Sequence, residues 1–167
     1  MSKIAFRIAG VSVASALACG LAGSANAQLL THKDLSLAMA TTIAQTAIAT
    51  CKQQGYSISV HVVGREGQVI LGVRGDGAGL ATYENSMKKA YTARTQRRAS
   101  GEFANAVKGN PVAGALFLTN MVPAQGALPI KVGEDTVGAV GVSGAPGGDK
   151  DEACAKAGID KVAADLR

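Results

Sequence analysis

Few side chains in this 167-residue sequence could do acid–base, nucleophilic or metal chemistry. The histidines are His32 and His61, and no other residue type offers a base near neutral pH in the same way. Nucleophilic catalysis needs an activated serine or cysteine with a base in reach, and no Gly-x-Ser-x-Gly motif is present. The stretch Gly141-Val142-Ser143-Gly144 has a different spacing. The sequence therefore argues against a hydrolase.

Metal binding would depend on the two histidines. A structural zinc site needs clustered Cys and His at ligand spacing, and this chain has none in its sequence. His61 alternates with Ser59 and Val63 on a predicted strand, and these neighbours leave space beside a neutral imidazole, which is a common metal donor. A strand histidine is more often structural, so both interpretations stay open. His32 lies near the start of the mature chain and is the second candidate donor.

A polar, glycine-rich loop, RGDGAG at 74–79, places a cation and a carboxylate at the exit of a predicted strand. The functional interpretation is the rim of a pocket, and the alternative is a surface ion pair of little energetic value. The helix that follows presents further candidate pocket residues. The candidates for ligand contact are Arg74, Asp76, Met87, Lys89, Tyr91 and Thr92.

The first 27 residues have the layout of a secretory signal peptide. Lys3 and Arg7 precede an apolar run, which ends in a small-residue cleavage pattern at Ala25-Asn26-Ala27. We expect cleavage there, a single domain over residues 28–167, and a periplasmic or secreted protein. A lipid-modified Cys19 is the less favoured alternative. The modest net charge of +5, with three Tyr, three Phe and no Trp, argues against nucleic-acid binding.

Two cysteines, Cys51 and Cys154, remain in the mature chain. Both fall in predicted helices. In an oxidising compartment they could form a disulfide, and as buried thiols they would act as small apolar residues. The sequence leaves these alternatives open.

Periodicity distributes these residues over helices and hairpins. Helical spacing predicts helices over 34–54 and 82–98, a short helix ending at Lys108, and a C-terminal helix that begins near Asp149. Alternation predicts one hairpin from YSISVHVV and QVILGVR and a second from ALPIKV and TVGAVGV. The stretch PVAGALFLTN is predicted as a loop or short strand. Because hairpins pair antiparallel, the expected fold is an antiparallel sheet with helices packed on it.

These motifs together resemble the GlcG/HbpS-like family of small haem-binding proteins. The most specific are Arg74-Gly-Asp76-Gly77-Ala78, Lys89-Ala90-x-Thr92-Ala93, and Gly138 to Gly144 followed by Asp151-Glu152-x-Cys154-Ala155. The resemblance covers about residues 35–166. It implies a profilin-like α/β fold of the α+β type, with a five-stranded antiparallel sheet and flanking helices. It also implies homo-oligomers, frequently octamers, and in some members a membrane sensor partner.

The resemblance further implies that haem is the ligand, bound reversibly or sensed outside the cytoplasm. Arg74 and Lys89 would then pair with the propionates, and His61, with His32 second, would be the axial donor. Apolar contacts to the macrocycle would come from Met87, Tyr91 and Phe117. One position departs from the family, whose members usually carry an acidic residue where this chain has Gly64, so a site shaped by that carboxylate would differ here.

Two other functions stay open at this point. The protein could be an accessory protein or enzyme acting on a small hydroxy acid such as glycolate, with Lys89, Arg74 and Asp76 holding a carboxylate and moving a proton. It could also be a partner-binding oligomer without a ligand. Because no recognisable catalytic centre is present, a binding function is favoured over an enzymatic one.

Overall fold

The computed structural model describes residues 28–110 and 120–167, and residues His32–Arg167 form one unit of structure. Residues 28–31 have no regular secondary structure. The predicted signal peptide (1–27) and residues 111–119, which include Phe117, lie outside the described residues. Along the described chain the elements are α1 (Leu37–Gln53), β1 (Ser59–Val63), β2 (Val69–Arg74), α2 (Thr82–Gln96), α3 (Ser100–Val107), β3 (Ala127–Val132), β4 (Asp135–Ser143), α4 (Gly148–Lys161) and a 3-10 turn, Ala163–Asp165.

The four strands form one antiparallel sheet in the order β2-β1-β4-β3. The two predicted hairpins are therefore correct, and β1 and β4 pair at the centre of the sheet. The described residues contribute four strands, where the family resemblance implied five. The stretch that the sequence left as a loop or short strand falls mostly on residues 111–119, outside the described part.

Strand β1 is buried along its whole length because both faces of the sheet are covered. Val60 and Val62 join the main apolar core with α1 and α4. The alternate side chains face α2: the Ser59 hydroxyl bonds that of Thr82, and Val63 packs with alanines of α2. This alternation places His61 between the sheet and α2.

Helices α1 and α4 pack together on one face of the sheet. A Cβ built at Gly158 of α4 would lie 2.6 Å from the carbonyl oxygen of Ile43 in α1, so the two helices can approach this closely only with glycine there. Cys51 and Cys154 join the same helices in a disulfide with a Cα–Cα distance of 5.7 Å. The structure thus decides between the two alternatives that the sequence left open for these cysteines.

Helix α2 lies directly against β4 on the other face. A Cβ at Gly141 would collide with the carbonyl oxygen of Ser86 and would lie 2.6 Å from the backbone nitrogen of Ala90. Gly141 of β4 therefore serves the close packing of a helix on the sheet. Within the described residues, no helix has the length and apolar character needed to cross a membrane.

Candidate functional site

His61 lies in the layer between β1 and α2 and is 2% exposed. Its Nδ1 is 2.8 Å from the hydroxyl oxygen of Ser86, and its ring meets the ring of Tyr83 edge-on, with the ring centroids 4.3 Å apart. Ser86 and Tyr83 are both on α2 and are separated by one helical turn. The helix therefore holds one nitrogen and one edge of the imidazole.

The hydrogen bonds of Ser86 determine which nitrogen of His61 carries the proton. The Ser86 hydroxyl donates to the carbonyl oxygen of Tyr83 at 2.8 Å, which uses its single hydrogen. Both short contacts of Ser86 are satisfied at once only if Nδ1–H of His61 donates to the Ser86 oxygen. In this tautomer Nε2 is unprotonated and has a lone pair, and it receives no hydrogen bond within the described residues.

Burial also sets the charge of this side chain. Desolvation lowers the pKa of His61 to about 4, because the imidazolium form loses its hydration between the sheet and α2. At neutral pH the ring is uncharged. A neutral imidazole is the form that coordinates metals and haem iron.

The Nε2 side of His61 faces the edge strand β2 at Gly72, its cross-strand partner. A Cβ at Gly72 would collide with Nε2 and would lie 2.7 Å from the hydroxyl oxygen of Tyr83. This glycine has no positive φ, so its role is to make room for the two side chains that pack against it. We call the place where His61 Nε2 and the Tyr83 hydroxyl meet Gly72 the Gly72 notch.

Helix α2 continues from the notch along the length of β2. Tyr83, Met87 and Tyr91 are spaced four residues apart and so share one face of the helix. We call these three residues the aromatic strip. A Cβ at Gly67, in the turn before β2, would lie 3.1 Å from the Tyr91 ring, so the strip runs from Gly72 to this turn. Tyr83 is 43% exposed and the adjoining Leu80 is 88% exposed.

Lys89 points away from this strip and is 3% exposed. Its ammonium group donates to Asp151 Oδ2 at 2.8 Å and to the carbonyl oxygen of Val142 at 3.0 Å. The other carboxylate oxygen of Asp151 accepts from the backbone N–H of Ala145 at 2.9 Å. Burial raises the pKa of Asp151 more than these bonds lower it. The pair joins α2 to β4 and to the start of α4.

The other residues proposed from the sequence lie apart from one another. Arg74 donates through Nε and Nη2 to the carbonyl oxygen of Ala78, at 3.0 and 2.6 Å, and so closes its own loop. Asp76 is exposed beside a recess of about 100 Å³ between that loop and the end of α1. Thr92 is buried, and its hydroxyl accepts from the backbone N–H of Val122 at 2.9 Å. His32 is exposed and precedes α1.

The structure therefore brings His61 and two of the predicted contact residues, Met87 and Tyr91, to the same side of α2, and leaves Lys89, Arg74 and Asp76 elsewhere. Whether any of these residues binds a ligand stays a prediction. Tyr83, Ser86 and Gly72 were not among the candidates. The sequence signal for them was a glycine inside an alternating strand, which often marks a close approach of other atoms.

A larger groove lies at the opposite edge of the sheet, between α3, β3 and α4. Its volume is about 740 Å³, which is within the range of small-molecule sites. Its lining mixes charged side chains with Leu128, Pro129 and Ile159, and includes Glu152, whose pKa is raised by burial and whose Oε2 has no hydrogen-bond partner among the described residues. Among the described residues, no His, Cys, Met or Tyr lines it. Across the described ranges, no group of three or more His, Cys, Asp and Glu side chains is placed to hold a metal ion.

The chain is similar to a known family and to several known proteins. A family model described as "Haem degrading protein HbpS-like" matches residues 35–160. An uncharacterised 15.0 kDa protein of Citrobacter freundii, from a dhaT-dhaS intergenic region, is 34% identical over 113 residues, which span 66% of this chain and 80% of that protein.

Among solved structures, one of HbpS is 33% identical with a TM-score of 0.75, covering 80% of this chain and 93% of that chain. A structure of PduOC in complex with haem is 23% identical with a TM-score of 0.70, covering 76% of this chain and 94% of that chain. At that identity the likeness shows a shared fold.

Proposed function

Because the chain belongs to the HbpS-like family, the family that its motifs predicted, we propose that it binds haem reversibly on the aromatic strip, with His61 as the iron ligand. The family model carries haem in its description, and a structural neighbour was solved with haem bound. When bound, haem would supply the iron chemistry, and the protein would supply the ligand, the orientation and the surroundings.

The observation that carries the proposal is the lone pair of His61 Nε2 at the Gly72 notch. Ser86 fixes the tautomer, burial keeps the ring neutral, and the absence of a side chain at Gly72 makes room for Nε2 beside the edge strand. Histidine is an established axial ligand of haem iron, and methionine and tyrosine serve in other haem proteins. Tyr83 borders the notch and Met87 lies one turn further along the same face of α2, so the donor set of this face fits haem. The groove near β3 has no His, Met, Cys or Tyr among its described lining residues.

One side chain must move for a ligand to reach the notch. Tyr83 stands edge-on to His61 and its hydroxyl borders the space over Gly72. Because Tyr83 is 43% exposed, we propose that its ring turns toward solvent and gives up its contact with His61 when a ligand binds. The faces of Tyr83 and Tyr91 and the thioether of Met87 would then provide the apolar surface on which a flat ring packs.

This placement changes two roles that the sequence suggested. Lys89 is committed to Asp151 and to the backbone of β4, and Arg74 is committed to its own loop. Neither side chain is therefore available to the propionates. The same contacts disfavour the hydroxy-acid alternative, which needed Lys89, Arg74 and Asp76 to converge on one carboxylate.

The setting of this function is proposed from the sequence alone. The pattern of residues 1–27 supports export, and thus haem binding in the periplasm or outside the cell. Assembly into homo-oligomers and a membrane sensor partner are proposed on the family resemblance.

A haem titration of the purified protein tests the proposal. We expect a saturable, shifted Soret band at micromolar protein, and return of the free protein when excess apomyoglobin is added. His61→Gln should weaken binding by about tenfold or more, since even outer-sphere partners of a metal ligand are worth about 10–100-fold. His32→Gln, an exposed control, should bind as the unmodified protein does.

Two results would count against the proposal in different ways. A free-haem spectrum in the presence of the unmodified protein would reject haem binding altogether. Equal spectra and affinities for the unmodified protein and His61→Gln, with both proteins folded by circular dichroism, would reject His61 as the iron ligand. Haem binding itself would then stand.

A further inference from the structure

Arg94 lies at the far end of the aromatic strip, three residues beyond Tyr91 and about 4.5 Å further along the helix axis. Its Nε is buried and has no hydrogen-bond partner among the described residues, and it forms no ion pair there. Arg65, which is close by, is engaged: its two terminal nitrogens reach the carboxylate oxygens of Asp135 at 3.0 and 2.5 Å. Arg94 is thus a partly buried cation with an unused donor.

Other guanidinium groups raise the positive potential around Arg94. The pKa of Arg94 is lowered first by burial and then by the charges of Arg97 and Arg65, while Glu66 and Asp135 oppose this shift to a smaller extent. Like charges held together in a partly desolvated place attract an anion.

A small cavity of about 120 Å³ opens between the helix and the β1–β2 turn beside this cluster. Arg65, Glu66 and Gly67 of the turn line one side, and Tyr91, Arg94 and Thr95 of α2 line the other. Within the described part of the chain, Glu66 forms no ion pair with Arg94. The volume suits one acid group and is too small for a macrocycle.

A purely structural role at the end of α2 does not account for this arrangement. Cations near a helix C-terminus favour the helix dipole, and an exposed arginine such as Arg97 serves that purpose in water. The dipole gives no reason to bury the Nε of Arg94 without a partner, because an unsatisfied buried donor is unfavourable. A carboxylate accepting from Nε–H and one terminal N–H would supply the missing partner in the forked geometry that guanidinium groups prefer.

We propose that Arg94 is a carboxylate-binding residue, which receives an acid side chain of the porphyrin on the aromatic strip. This inference rests on the proposed function, and it adds the acid groups of the porphyrin to the iron and the apolar ring as features that the site recognises. The protein would accordingly select porphyrins that carry free acid groups over their esters.

Iron-free protoporphyrin and its dimethyl ester test this selectivity apart from iron ligation. By fluorescence titration, we expect the unmodified protein to bind the diacid at least about tenfold more tightly than the ester. Arg94→Gln should abolish this preference and leave the ester's affinity unchanged, and Arg94→Lys, which keeps the charge but not the fork, should fall between them. Arg98→Gln removes the same charge outside the cavity and should keep the full preference.

A second measurement separates this inference from haem binding as such. In the ligand-free protein, the Nε–H resonance of Arg94 should shift saturably with sodium succinate and not with sodium chloride at equal ionic strength. If the porphyrins bind and Arg94→Gln keeps the diacid preference, the carboxylate site is wrong and the proposed function stands. If no porphyrin binds but succinate shifts the resonance, the carboxylate site stands and the proposed function is wrong. If neither occurs, both are wrong.

Discussion

His61 and Gly72 are cross-strand partners in the β1–β2 ladder, and the absence of a side chain at Gly72 makes room for Nε2 of the buried imidazole. Gly72→Ala should place a methyl group against Nε2 and the Tyr83 hydroxyl and lower haem affinity by about tenfold or more. Absorbance titration measures this. Gly79→Ala is the matched control, because a Cβ there meets nothing closer than 3.5 Å. Unchanged affinity in a folded Gly72→Ala variant would show that the notch is not the route to the ligand.

The depressed pKa of His61 makes stability depend on pH. The unfolded chain takes up a proton near pH 6.5, whereas the folded protein does so only near pH 4. Protonation therefore favours unfolding, and stability should fall as pH is lowered from 6.5 to 4, by at most about 3 kcal/mol. Urea unfolding across this range measures the change. In His61→Gln the pH dependence that comes from His61 should disappear. A pH profile of stability parallel to that of the unmodified protein would refute this prediction.

The buried pair Lys89–Asp151 should be important for folding. Lys89→Ala would leave a buried carboxylate without its partner and should cost about 3–5 kcal/mol of unfolding free energy. Lys156→Ala removes one partner of the exposed Lys156–Asp160 pair and should cost less than about 1 kcal/mol. Chemical denaturation compares the two. Replacing both buried partners, as Lys89→Met with Asp151→Leu, should recover much of the loss, and equal costs for the two alanine variants would contradict the assignment.

The Cys51–Cys154 disulfide should stabilise the fold substantially, because it closes a loop with a sequence separation of 103 residues. Loop-closure entropy for such a length is worth about 5 kcal/mol. Unfolding with and without reductant measures this contribution. The variant Cys51→Ala with Cys154→Ala should be less stable than the oxidised protein and insensitive to reductant. Equal stability of the oxidised and reduced protein would contradict the expectation.

The secondary structure was largely predictable from the sequence, because each element has its own apolar period. Helix α1 was predicted from residue 34 and begins at Leu37, because Ser36 caps it: the Ser36 hydroxyl oxygen accepts from the Met39 N–H at 3.1 Å. The end of α2 was predicted at Arg98, and the helix ends at Gln96 because Arg97 adopts a left-handed conformation, with φ of 54°. Side-chain composition does not specify such a backbone reversal when no glycine marks it.

The site was less predictable because it depends on contacts between distant segments. His61 was a candidate from its residue type, but its tautomer depends on Ser86, and the room for its Nε2 depends on the register that places Gly72 opposite. Lys89 was grouped with Arg74 because the two are close in sequence, yet its partner is Asp151, 62 residues away. The rotation of α2 on the sheet, which decides these partners, is set by packing against Gly141 and is not encoded in a local pattern.

The disulfide also gives the two faces of the sheet unequal freedom to open. Helices α1 and α4 are tied covalently to each other, whereas α2 is held on its face by packing, hydrogen bonds and one ion pair. Transient unfolding that spares the rest of the domain would thus begin at α2, and its amides should exchange with deuterated water before those of α1 and α4. Helix α2, which lies over His61, would therefore be the helix most able to open locally and admit a ligand.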